Sequence, residues 1–228
     1  IHFRILLNNL WFCLSIGALI GISMNINYEA VAFIDPGTAS LLAKTSILMS
    51  VGLGIFWLRE KLSKLQGSGA ILALTGVLVI AFQPGDYIRL GSLLILISAF
   101  MYALHTAIVK RYGEDMDFVE FFFFRILATA IVLFFIAIGR HALIWPGVTA
   151  WGLIIMTATI DVVISRALYY LVLRQMQVSV LAIVLTLSPV AAVLWAFILF
   201  DTVPTVQQLI GGVGVILGVF IVTIKRNI

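Results

Sequence analysis

Charged residues punctuate this chain and leave long intervals between them. Segments free of charge, or nearly so, run between Arg4 and Glu29, Asp35 and Arg59, Lys64 and Asp86, and Arg89 and Lys110. Four more lie between Glu120 and Arg140, His141 and Arg174, Arg174 and Asp201, and Asp201 and Lys225. Each is close to the ~20 residues that an α-helix, rising 1.5 Å per residue, needs to cross a bilayer core. These segments, spans A to H, leave little over. The longest polar stretch, Lys110 to Glu120, is too short for a soluble domain. The pattern predicts an all-α polytopic membrane protein whose ligand chemistry lies in the membrane or at its faces.

Composition agrees: 63% of the 228 residues are hydrophobic and 11% charged, against roughly 25% charged in soluble domains. The apolar run after Arg4 exceeds the roughly 7–15 residues of a signal-peptide core, so span A reads as a retained helix. Cys13 is the single cysteine, which rules out a disulfide framework, and no Cys/His spacing fits a metal site, so no cofactor is implied.

The net charge of +4 does not point to nucleic acid, because the basic residues alternate between loops and are not gathered on one face. With a cytoplasmic N-terminus, Arg4, Arg59, Lys61, Lys64, Lys110, Arg111, Arg174, Lys225 and Arg226 fall on the cytoplasmic side, and only Arg89 and Arg140 on the other. That bias predicts an inner (plasma) membrane protein with both chain ends in the cytoplasm.

Sliding the chain on itself by 142 positions superposes Tyr28 on Tyr170, Ser46 on Ser188, Gln66 on Gln208, Gly69 on Gly211 and Gly76 on Gly218. Spans A, B and C then match F, G and H. Matching helices lie five spans apart, and an odd separation inverts the second copy, as in many secondary transporters. The expected organisation is an incomplete first repeat of three helices over 1–84 and a second of five over 85–228. Two further helices are expected ahead of Ile1, giving a parent of about ten spans.

The residues that carry this repeat also resemble the drug/metabolite transporter superfamily, EamA type. The likeness runs through "FWLREKLSKLQGSG" into "ILALTGVLVI", and resumes at "LYYLVLRQMQVSVLAIVLTLSP" and "DTVPTVQQLIGGVGVILGVF". Glu60, Gly69 and Gly76 fit the family's pattern of an acidic helix end followed by two glycines seven apart. The second copy departs from it, with Thr202 at the place of Glu60 and Asp201 one residue earlier, and Pro189 stands where the first copy has Ile47. The resemblance implies a non-enzymatic ten-helix exporter with a central cavity, whose small-molecule substrates range over amino acids, other metabolites and drugs.

Four Asp, Glu, Lys or Arg residues fall inside the spans: Lys44, Arg125, Asp161 and Arg166. Left unpaired, each costs roughly 2.5–3.5 kcal/mol at the bilayer centre. Asp161 shares a four-residue spacing, and so one helix face, with Thr157, Ser165 and Tyr169. The repeat maps this stripe onto Ser15, Leu19, Ser23 and Asn27, and a polar face repeated in inverted helices suits a midplane binding site. Lys44 either snorkels outward or reaches Asp161.

Arg125 is expected to snorkel or to pair with Glu120. The same holds for Arg166, unless it attracts a substrate carboxylate. His105 shares a face with Ser98 and Tyr102 and serves as a proton relay or packs as a neutral ring. Tyr102 and Tyr169 lie deep enough to stack on a substrate, Trp57 and Tyr112 suit interfacial anchoring, and Glu29 and Asp35 flank a solvated loop.

Gly17 with Gly21, and Gly214 with Gly218, are small-xxx-small pairs that allow close helix approach and also allow a homodimer. Pro189 is expected to kink span G and to free the carbonyl of Leu185 beside Thr186 and Ser188. Two other functions compete with a carrier. A channel would need a continuous wet path. An enzyme would need clustered acids or histidines, but His2, His105 and His141 are scattered.

Overall fold

The computed structural model of the chain describes residues 10–34, 36–82, 90–113 and 116–224. His2, Arg4, Asp35, Asp86, Arg89, Lys225 and Arg226, used above to bound spans or count charges, lie outside the described residues. The described residues are helical, without strands. The helices are α1 (Leu10–Ala30), α2 (Pro36–Ala43), α3 (Thr45–Phe56), α4 (Lys64–Ala81), α5 (Leu90–Tyr112), α6 (Phe118–Gly139) and α7 (Val148–Thr157). A π-helical stretch, Ala158–Ser165, joins α7 to α8 (Arg166–Gln175), followed by α9 (Val178–Val184), α10 (Leu187–Phe200) and α11 (Val206–Thr223). Eight stretches are long and apolar enough to cross a membrane, and they coincide with spans A to H.

The contacts divide the chain into two compact units. One comprises Ile1–Ile22 and Ile108–Met176, the other Ser23–Ala107 and Gln177–Ile228. In the second unit, α4 and α11 pack antiparallel through their glycines. A Cβ on Gly69 would meet the Gly218 carbonyl oxygen at 2.8 Å, and one on Gly76 would meet that of Gly211 at 2.6 Å. Only residues without side chains let the two backbones come this close.

Repeat-equivalent positions adopt the same local structure here. Ser63 caps α4 and Thr205 caps α11, each in a capping box completed by Gln66 and Gln208 respectively. Arg59 and Asp201, 142 apart, both take left-handed backbone conformations with φ of 57° and 50°. That turn lets the Glu60 N–H reach the Gly54 carbonyl at 2.9 Å, and the Thr202 N–H that of Ala196 at 3.4 Å.

Spans B and G are both broken, and at equivalent places. The Lys44 N–H bonds to the Leu41 carbonyl, and the Thr186 N–H to that of Ile183, in two matching tight turns. One expectation is thereby corrected. The Leu185 carbonyl is not freed by Pro189, because it accepts the Ser188 N–H at 3.1 Å. Span G does break beside Pro189, and span B breaks at the equivalent place with Ile47 there. The buried Thr186 turns its hydroxyl back to the Ile183 carbonyl, not toward a cavity.

In the first unit, α1 lies close to α6, where a Cβ on Gly17 would stand 2.7 Å from Ala128 and one on Gly21 2.8 Å from Val132. Buried Phe12 and Phe121 pack together, and Phe121 meets Tyr170 edge-on. Arg174 gathers the loop after α5, donating to the carbonyls of Gly113 and Met116 at 2.9 Å, while its guanidinium lies over Phe118 and Phe121. Lys110 donates to the Arg174 carbonyl at 2.9 Å.

Candidate functional site

Four helices of the second unit, α1, α2, α3 and α5, border an open recess of about 290 Å³ lined by Ser23, Met24, Asn27, Tyr28, Ala43, Ser46, Ser98, Ala99 and Tyr102. Its base is fixed by a reciprocal bond between helices. The Ser23 hydroxyl reaches the Ser98 carbonyl at 3.0 Å, the Ser98 hydroxyl donates to the Ser23 carbonyl at 2.9 Å, and the two hydroxyl oxygens are 3.1 Å apart. Both serines are buried, and each commits its single hydroxyl proton to the other helix. Asn27 adds a polar group to the wall, and its amide has no hydrogen-bond partner among the described residues. Tyr28, 78% exposed, contributes to the lining, as does half-buried Tyr102.

The third wall is the break in span B. Ala43 ends α2, and the Ser46 hydroxyl satisfies the Ala43 carbonyl at 2.8 Å. Lys44 sits at the break itself, half-buried, its side-chain amine without a hydrogen bond or ion pair among the described residues, and it is not part of the lining. From Ser46 to Phe56 the helix runs ten residues, so the recess lies about 15 Å from the end of the span that leads to Glu60.

Of the residues singled out from the sequence, Ser23, Asn27 and Tyr102 thus meet in one recess. His105 does not join them. Its ring is buried, its Nδ1 bonds to the Tyr102 carbonyl oxygen, and it meets the Tyr102 ring edge-on.

Asp161 and its stripe belong to the first unit. Asp161 and Thr157 line a shallow recess with Leu153, Ile154, Ala158 and Val162, all from the same continuous helix. No residue from Val148 to Ser165 is buried, and no hydrogen bond or ion pair reaches Asp161 among the described residues. The four-residue spacing crosses the π-helical stretch, a feature frequent at functional sites. Further along, Tyr169 meets Tyr170 edge-on and Arg166 is half-buried.

Arg125 corrects an expectation. It does not snorkel but is buried with its guanidinium 5.0 Å from the Tyr170 ring centre, and its Nε has no hydrogen-bond partner. A cation over an aromatic face recovers part of the hydration lost on burial.

Sequence reasoning gave Glu60 no role, yet both of its carboxylate oxygens are hydrogen-bonded. Its oxygens accept the Val178 N–H at 2.6 Å, the Ser179 N–H at 2.9 Å and the Ser179 hydroxyl at 2.5 Å. The available signal was the start of span G, where Gln177 supplies no cap of its own.

The model of the EamA-like transporter family matches residues 2–82 and 89–224. The uncharacterized transporter YdfC of Bacillus subtilis (strain 168) is 28% identical over 210 residues, covering 90% of this chain and 67% of that protein. The uncharacterized transporter sll1164 of Synechocystis sp. is 22% identical over 223 residues, covering 91% of this chain and 64% of its own. The chain thus spans about two thirds of the length of these relatives. A crystal structure superposes with a TM-score of 0.79 at 20% identity, covering 93% of this chain and 75% of that one, a likeness of fold.

Proposed function

The chain belongs to the EamA-like transporter family, and on that premise we propose that it exports small polar organic molecules across the inner membrane by alternating access. It is a multi-pass membrane protein of the transporter class. The finer reading has both chain ends in the cytoplasm and two inverted repeats, 1–84 and 85–228, that rock against each other around a wet cavity.

One observation carries this reading: spans B and G break at repeat-equivalent residues, Lys44 and Thr186, and the first break walls the recess that holds Asn27 and Tyr102. Discontinuous helices at corresponding places in two repeats are the usual mark of a transport site, because irregular backbone at membrane depth is tolerated where it lines a cavity. Asn27 offers an amide that can donate and accept, and Tyr102 and Tyr28 offer ring faces. With no charged side chain in that lining, the recess suits the uncharged part of a substrate. In the other unit, Asp161 presents a carboxylate without a partner among the described residues, available to a proton or a substrate amine.

The test is solute counterflow in vesicles, using amino acids and toxic analogues as labelled substrates. A carrier exchanges label against a gradient, and Asn27→Ala and Tyr102→Ala should weaken that exchange while the protein stays folded. Label that only equilibrates down its gradient would mean a channel, and unchanged exchange in both variants would remove the recess from the transport path.

A further inference from the structure

We infer that Glu60 is a releasable latch joining the two broken helices at one face of the membrane, a role that rests on the alternating-access reading above. The half-helices on Glu60's side of the two breaks are α3, which runs from Lys44 toward Glu60, and α9, which runs from Val178 to the break before Thr186. These halves pack on each other in the second unit. Their ends are tied mainly by one carboxylate, which takes two backbone N–H groups and one hydroxyl from Val178 and Ser179, with the Ser179 hydroxyl also 3.4 Å from the Val51 carbonyl oxygen. The left-handed turn at Arg59 folds Glu60 back to make these bonds. Gly54 leaves the room, because a Cβ there would collide with the Ser179 hydroxyl and the Glu60 carboxylate.

The repeat supplies an internal control. At the inverted end, Thr202 stands for Glu60, Ala196 for Gly54 and Pro36 for Val178. Proline has no N–H to give. The Thr202 hydroxyl turns instead toward the Phe200 carbonyl at 3.5 Å. One end of the repeat pair therefore carries the parts of a latch, and the other has lost the carboxylate, a donor and the glycine together. Charge-assisted bonds are the strongest the chain can place there, yet at a wetted membrane face water can replace them, so they hold one access state without making it permanent. Two otherwise similar access states become unequal, with closure favoured on the Glu60 side.

The test uses the full chain with Cys13→Ala, in vesicles of known orientation. Spin labels on Lys61→Cys and Gln177→Cys, both exposed positions flanking the latch, report the separation of the two ends. In a separate variant of the same chain, Ser46→Cys reports access to the recess through its labelling by a membrane-impermeant thiol reagent added from Glu60's face. Glu60→Gln keeps the shape but cannot accept all three bonds. It should add a longer population of distances and raise Ser46→Cys labelling about tenfold, as loss of a charge-assisted bond implies. Ser179→Ala removes one bond and should act in the same direction by about threefold. It decides the matter if Glu60→Gln does not fold. Unchanged distances, or longer distances without faster labelling, overturn the latch, since a static brace would widen without admitting reagent. Neither readout uses transport, so a parent that fails counterflow counts against the carrier reading alone.

Discussion

Gly76 and Gly211 occupy each other's side-chain space: a Cβ on Gly76 would stand 2.6 Å from the Gly211 carbonyl oxygen, and one on Gly211 would stand 2.7 Å from that of Gly76. The relation is reciprocal because equivalent helices run antiparallel, so Gly69 faces Gly218 in the same way. The neighbouring Gly212 has nothing within 4 Å of such a Cβ. Gly211→Ala should therefore cost about 1–3 kcal/mol through overpacking, whereas Gly212→Ala should be neutral or stabilising by up to ~1 kcal/mol. Unfolding midpoints in detergent would separate the two, and equal effects would mean that α4 and α11 do not pack in this register.

The Ser23–Ser98 pair predicts non-additive losses. Each single alanine leaves the other serine still able to donate to a carbonyl, and interhelical bonds in membranes are worth roughly 0.6 kcal/mol on average. A double-mutant cycle should give a coupling of about 0.5 kcal/mol or more. A coupling of zero would show that the two hydroxyls bond only to backbone carbonyls and not to each other.

Arg125 is expected to depend on Tyr170 more than on any carboxylate. Tyr170→Leu should destabilise by about 2 kcal/mol or more through loss of the desolvated cation–π contact and of ring packing. In an Arg125→Met background part of that loss should vanish. Chemical denaturation of the four proteins of the cycle measures it, and strict additivity would contradict the contact.

Asp161→Asn should abolish or flatten the pH response of transport while leaving stability unaffected, because the carboxylate has no hydrogen bond or ion pair to lose among the described residues. Uptake rates across pH would check this. The same rates and the same pH response in the variant would remove Asp161 from the mechanism.

Pro189→Ala should leave the break in span G in place, since the first copy makes the equivalent break with Ile47. Amide exchange at Leu185 to Ser188 should stay as fast as in the parent, and marked slowing would show that proline holds the helix open.

The eight spans were legible because hydrocarbon enforces a length and a ban on charge that composition alone reveals. The inverted repeat was legible from five identities at one offset, since close helix approach accepts few substitutes for glycine. The fates of the polar residues were less legible. Spacing put Ser23 and Asn27 on one helix face and Tyr102 with Ser98 on another, but it did not show that these faces meet in one recess, nor that Arg125 lies over the Tyr170 ring; His105 packs as a buried ring, one of its two expected fates. A side chain's depth along a helix follows from its sequence position, whereas its neighbours follow from which helix faces it.

The sequence by itself determined that this chain is a membrane-embedded helical protein, because span length and charge spacing are local properties. Only the tertiary structure decided that Glu60 ties Val178 and Ser179 across 118 residues and more, and that two helices break together with or without proline. Those facts arise from hydrogen bonds between segments remote in sequence, whose partners no local pattern can name.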